Sequence, residues 1–153
     1  MKPNEFMRQA IELAYNNTKQ HGGKPFGAVI VKNGEIIATG VNDVLVTHDV
    51  TAHAEIQAIR EACNKLQSPL LTGCEVYASG QPCPMCLAAI HWTGAKAVYY
   101  AYTEEDAAAV GMSTKHVYQQ LSLPLERQSL PIQRMEPDTA QNPMELWKQT
   151  NRR

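Results

Sequence analysis

Two short stretches carry side chains whose types and spacing could do chemistry: "TAHAEIQAIREAC" at 51–63 and "SGQPCPMCLAAIHW" at 79–92. In the second, Cys83 and Cys86 are three apart at the predicted start of a helix, because Pro84 suits a first helical turn. Both sulfurs can then face one point, and a helix N-terminus favours the thiolate, the form that binds metal. In the first, Ile56, Ile59, Cys63 and Leu66 mark the buried stripe of an amphipathic helix, with Thr51 as its expected N-cap. His53 and Glu55 stand only two apart at its start, so they cannot share a regular helix face. They can share the helix mouth. If the two helix N-termini meet, one imidazole and two thiolates converge on a metal and leave one coordination position open, with Glu55 beside it.

Plainer readings exist for each part. A Cys-x-x-Cys pair alone could be a redox site, but that chemistry makes no demand on His-Ala-Glu. A closed structural zinc site wants four protein ligands. Cys63 falls on the buried stripe, and Cys74 opens a strand, where it can pack as a small apolar residue. His48 is near enough to His53 to be a fourth ligand, although loop histidines are more often solvated. His21, His91 and His116 have no partner spacing. Three ligands with an unused carboxylate favour catalysis.

The elements that must position these residues alternate in type. A helix over "PNEFMRQAIELAYNNTKQ", with Phe6, Ala10, Leu13 and Ala14 inward, precedes a hairpin whose turn is Asn33-Gly34. The first motif's helix leads to the strand "CEVYAS", the second motif's helix to the strand "AKAVYYAY". A short helix "EEDAAAV", a last strand "LPIQRM" and a closing helix "PMELWKQT" complete the order. Strands separated by helices imply one mixed sheet covered on both faces.

Composition excludes several classes. The 153 residues suit a single domain over 1–153. Lys and Arg number 14 against 15 Asp and Glu, and the final Arg152-Arg153 is little for phosphate contacts, so a nucleic-acid partner is not expected. No apolar run approaches the ~18 residues of a membrane span, and the first ten residues lack a signal peptide's apolar core. Four cysteines are too few for a disulfide scaffold. The expectation is a cytoplasmic protein with reduced thiols.

The joint pattern His53-x-Glu55 and Pro82-Cys83-x-x-Cys86 resembles the signature of the zinc-dependent deaminases of the cytidine/deoxycytidylate deaminase superfamily. From Gly23 to about Tyr118 the chain is most similar to the bacterial guanine deaminases among them. The resemblance implies a three-layer α/β/α sandwich with a five-stranded mixed sheet and one zinc per chain on His53, Cys83 and Cys86. Water would be the nucleophile, Glu55 the group that moves its protons, and the partner a small nucleobase, guanine first. It further implies that Asn42 and the Ala54 backbone amide bind the base, that Phe26 and Trp92 border its ring, and that the protein is a homodimer. Three departures stand out. Ser113 and Thr114 occupy places where those enzymes carry acids, so Thr114→Asp would be expected to improve guanine turnover. Gln81 replaces a glutamate, and the tail "LWKQTNRR" lacks the closing aromatic expected to reach across a dimer. Cytosine deaminases and tRNA-specific adenosine deaminases share the zinc motif and are the alternatives.

Overall fold

Small residues set how closely the helices lie on the sheet in the computed structural model, which describes residues 2–151; Met1, Arg152 and Arg153 lie outside the described residues. Strands β1 (Gly27–Lys32) and β2 (Glu35–Val41) form the expected hairpin. Asn33 (φ 51°) and Gly34 (φ 77°) both adopt the left-handed conformation a primed turn requires. Strand β3 (Cys74–Gly80) pairs antiparallel with β1, and β4 (Ala97–Tyr102) pairs parallel with β3, giving the order β2-β1-β3-β4.

Helix α1 (Pro3–His21) packs on one face of the sheet, where Phe6 and Ala10 meet Val29, Val31 and Tyr77. Helix α3 (Ala54–Leu66) packs on the other, where Ala54, Ala58 and Ala62 meet Ala28, Ile30 and Val76. Between them α2 (Val44–Thr47) is a single turn, and α4 (Pro84–Thr93) connects the parallel pair β3 and β4. Helix, sheet and helix make three layers of an α/β fold with a mixed sheet.

The approach of α3 explains one difference from the periodicity. Ile59, Cys63 and Leu66 only flank the core; the deepest residues of α3 are Ala54, Glu55, Ala58 and Ala62. A Cβ on Gly40 of β2 would lie 2.2 Å from the Ala54 carbonyl oxygen and 2.6 Å from the Ala58 nitrogen. Glycine below and alanine above let the helix backbone rest on the strand, and larger side chains are pushed to its margins. Thr51 is not the N-cap. His53 takes that place, while the Thr51 hydroxyl donates to Asp49 Oδ1 at 2.7 Å and accepts from Arg60.

The sheet has four strands, not five. The segment "LPIQRM" forms no strand: all its residues are exposed, and Pro131 has no amide proton to give to a ladder. Beyond β4 come α5 (Glu104–Ala108) and α6 (Lys115–Leu121). The chain divides into two compact units, Met1–Gln119 and Gln120–Arg153. The second contains a short 3-10 turn at Leu125–Arg127 and helix α7 (Pro143–Thr150), capped by Asn142, whose Oδ1 accepts from the Glu145 N–H at 3.1 Å. No described helix is long and apolar enough to cross a membrane.

Candidate active site

Two helix mouths bring the first motif to the second. His53 caps α3 and Cys83 caps α4, both in extended backbone conformation. The Cys83 sulfur accepts the Cys86 N–H at 3.4 Å, as a capping side chain does, which turns both sulfurs of the Cys-x-x-Cys to one side. His53 Nδ1 lies 3.5 Å from Cys83 Sγ and 3.4 Å from Cys86 Sγ. All three ligand atoms fall within 4.8 Å of one another. A tetrahedral zinc with Zn–N of about 2.0 Å and Zn–S of about 2.3 Å separates its nitrogen and sulfur ligands by about 3.5 Å. The donor set fits.

The three groups are also coupled electrostatically. A hydrogen bond from the Cys86 thiol, then one with His53, draws the Cys83 thiol far below its ordinary value, while that bond and burial push Cys86 up. The hydrogen bond with Cys83 raises His53. Among the described residues His53, Cys83 and Cys86 are the one group of this kind, so no fourth protein ligand closes the site. His48 is exposed and ends α2 in the left-handed conformation (φ 54°), apart from the three ligands.

Glu55, in the first turn of α3, is 7 % exposed. Burial pushes its carboxyl above the usual range. Its side chain faces a pocket of about 300 Å³ that it lines with Lys24, Phe26, Asn42, His53, Cys83 and the segment from Gly111 to Thr114. That volume is at the small end of the range for small-molecule sites.

The other sequence-derived candidates separate. Phe26, Asn42 and Thr114 line the pocket. Asn42 is buried; its Oδ1 accepts the Val44 N–H at 3.1 Å, and its carbonyl accepts from Asn17 at 2.9 Å. No described residue accepts from the Asn42 side-chain amide, which remains a donor to the pocket. Ala54 is fully buried and does not line the pocket, but as the first residue of α3 its N–H has no partner within the helix. Trp92 is 85 % exposed and lies outside the pocket wall, because it falls on the solvent side of α4.

The motifs did not reveal Glu104, which lines the same pocket. The 111–114 loop has no acid of its own, yet the Glu104 carboxylate stands against Ser113 and Thr114 and accepts both hydroxyl protons. Adjacent hydroxyls where an acid is expected, downstream of an acidic first helical turn, are the signal that could have found it. Gln81 has a role too: its Oε1 accepts the Glu104 N–H at 3.0 Å. On α6, the Tyr118 hydroxyl donates to the Pro82 carbonyl at 2.6 Å. The segment beyond β4 is therefore tied on both sides to the residues just before Cys83.

Residues 1–102 match the cytidine and deoxycytidylate deaminase zinc-binding region. The chain belongs to that family. His53, Glu55, Cys83 and Cys86 all fall inside the matched region. The chain is 41 % identical over 148 residues to the guanine deaminase of Bacillus subtilis (strain 168), covering 97 % of this chain and 95 % of that one. An X-ray structure of guanine deaminase from Bacillus subtilis matches with a TM-score of 0.94 at 40 % identity, covering 100 % of this chain and 98 % of that one. A structure of guanine deaminase from Nitrosomonas europaea matches with a TM-score of 0.70 at 32 % identity, covering 74 % of this chain and 65 % of that one. A tRNA-specific adenosine deaminase of Aquifex aeolicus (strain VF5) is 46 % identical over 81 residues, 53 % of each chain.

Proposed function

We propose that the protein is a zinc-dependent hydrolytic deaminase whose substrate is guanine, converted with water to xanthine and ammonia. The observation that carries this reading is a buried carboxylate, Glu55, in the same small pocket as His53 and Cys83 of the ligand trio. A zinc ion held there supplies Lewis acidity that brings the acidity of water toward neutral pH. Glu55 takes one proton of the attacking water and passes it to a ring nitrogen beside the amidine-like carbon. It then takes the remaining hydroxyl proton from that carbon's adduct and gives it to the amine, so the C–N bond breaks as the carbonyl forms and ammonia leaves. Asn42 donates its amide N–H to an acceptor on the base, the Ala54 N–H gives a second donor, and the Phe26 ring borders the heterocycle. The substrate assignment draws on the relative that matches along 97 % of the chain.

The discriminating experiment is ammonia release from zinc-loaded protein over guanine, adenine, cytosine, aminated triazines, nucleosides and a tRNA anticodon stem. Guanine should be turned over fastest. Preference for the anticodon stem would replace this reading with the tRNA adenosine deaminase alternative, whose relative matches over half the chain. A net charge of −1 argues for the free base.

The reading includes a cytoplasmic homodimer. From residue 121 on no described residue is buried, yet Leu125, Leu130, Met135, Met144, Leu146 and Trp147 are each at least 60 % exposed. So much open apolar surface on one short segment calls for a partner. Sedimentation should find two chains per particle; a monomer at micromolar concentration would count against it.

A further inference from the structure

Glu104 is the first residue of α5, and its carboxylate is engaged almost entirely by the loop that follows that helix. Its Oε1 accepts from the Ser113 hydroxyl and from the Thr114 N–H at 3.0 Å; its Oε2 accepts from the Thr114 N–H at 3.1 Å and the Thr114 hydroxyl at 2.8 Å. The consequence lies in where the hydroxyl protons go. Ser113 Oγ gives its proton to Glu104 and accepts the Lys115 N–H at 3.1 Å, so both of its capacities are in use. Thr114 Oγ1 gives its proton to Glu104, and no described residue donates to it. A hydroxyl is ordinarily both donor and acceptor. Here the carboxylate fixes its direction, and the Thr114 oxygen is left with acceptor lone pairs only.

That oxygen belongs to the wall of the pocket that also contains Glu55. A reacting amidine carbon must lie against Glu55, so the N–H groups flanking that carbon are those within reach of the wall. In guanine the ring N1–H is the one that stays beside that carbon; the 2-amino group is the leaving group. We propose that Glu104 is a positioning residue that acts through Thr114, holding its oxygen as an obligate acceptor that selects heterocycles with an N–H beside the reacting carbon over those with a lone pair there. This rests on the deaminase reading for what is bound, and it assigns to Glu104 the selectivity that the 111–114 loop cannot provide alone.

The experiment separates the two claims. Guanine and 2-aminopurine, which offers a lone pair at N1, are titrated into zinc-loaded Glu55→Gln protein, with and without Glu104→Gln or Thr114→Val. Ser113 and Thr114 each give a proton to a different oxygen of Glu104, and glutamine has only one. With its NH2 in the other place, the Thr114 hydroxyl no longer has its acceptor and is freed to donate. Glu104→Gln should weaken guanine binding by about tenfold, the scale of one hydrogen bond, and leave 2-aminopurine unchanged or tighter. Thr114→Val should cause a similar loss for guanine, and the two changes together should cost no more than either alone. Unchanged guanine affinity in Glu104→Gln overturns the proposal. Equal losses for both purines, adding between the two sites and tracking a lower thermal midpoint, also overturn it, since that is what a merely structural clamp would give. No guanine binding to the Glu55→Gln protein overturns it as well. Absence of ammonia release from wild type with guanine binding intact defeats only the deaminase reading.

Discussion

His53 Nδ1 lies 3.4 Å from Cys86 Sγ, although the two are 33 positions apart in the chain. Neither residue can reach the other unless α3 and α4 meet mouth to mouth, so a metal held there would join two helices that otherwise touch little. Metal analysis of the purified protein should find about one zinc per chain. Cys86→Ala should remove zinc and activity together and lower the thermal midpoint, because binding free energy at such a site is also folding free energy. Full activity in zinc-free protein would be incompatible with this site.

Glu55→Gln should keep the zinc and abolish turnover. General acid–base assistance is worth typically ~10²–10⁴-fold, and a residue serving several transfers should sit at the upper end or beyond. In the wild type, kcat/KM should fall on the acid side as pH drops through a value above the ordinary glutamate range, since the carboxylate must be free of its proton to accept one. The cause is burial, and it has a stability counterpart. A carboxyl raised in the folded state is a cost that appears as pH rises through that raised value. Glutamine carries no such cost, so the variant's thermal midpoint at neutral pH should be no lower than wild type. A Glu55→Gln enzyme with a third of the normal rate would mean that another residue moves the protons.

The convergence of His53, Cys83 and Cys86 was legible because short-range rules fix their places: Pro84 starts a helix, Cys83 and Cys86 stand at its first turn, and His53 opens the helix before it. The hairpin was legible from Asn33-Gly34. Residue types far apart in sequence were less so. The inward face of α3 is set by Gly40 on another strand, which favours Ala58 over Ile59 at the contact. "LPIQRM" has the composition of a strand, but a strand exists only with a neighbour to pair with, which its sequence cannot specify. Glu104 reads as an exposed helix start until the loop folds back ten residues later to place Thr114 against it.

The Gly40 contact gives a test of how α3 is held. In Gly40→Ala the new methyl would meet backbone atoms at 2.2 and 2.6 Å, and backbone cannot turn aside as a side chain can. The helix must lift off β2, at a cost of about 1–3 kcal/mol. Glu55 is in the first turn of that helix, so kcat should fall together with the thermal midpoint while zinc content holds. A variant with wild-type stability and rate would show that the strand yields instead.

Thr114→Asp is where sequence and structure give opposite expectations. From the sequence, an aspartate restores an acid that guanine deaminases carry in this loop, and guanine turnover should rise. The structure already places the Glu104 carboxylate against that position, where its two oxygens take the Thr114 hydroxyl and N–H. An aspartate would bring a second carboxylate within reach of the first, with the bridging hydroxyl lost. Like charges that close resist being ionised together, so the loop should move or one acid should keep its proton. The outcome expected is a kcat/KM for guanine lower by roughly tenfold, the scale of one lost hydrogen bond to a charged group. Pairing Thr114→Asp with Glu104→Gln should recover much of that loss, because the amide can donate to the new carboxylate. Steady-state kinetics on the three variants decide it: a rate increase in Thr114→Asp alone would show that Glu104 leaves room for a second acid.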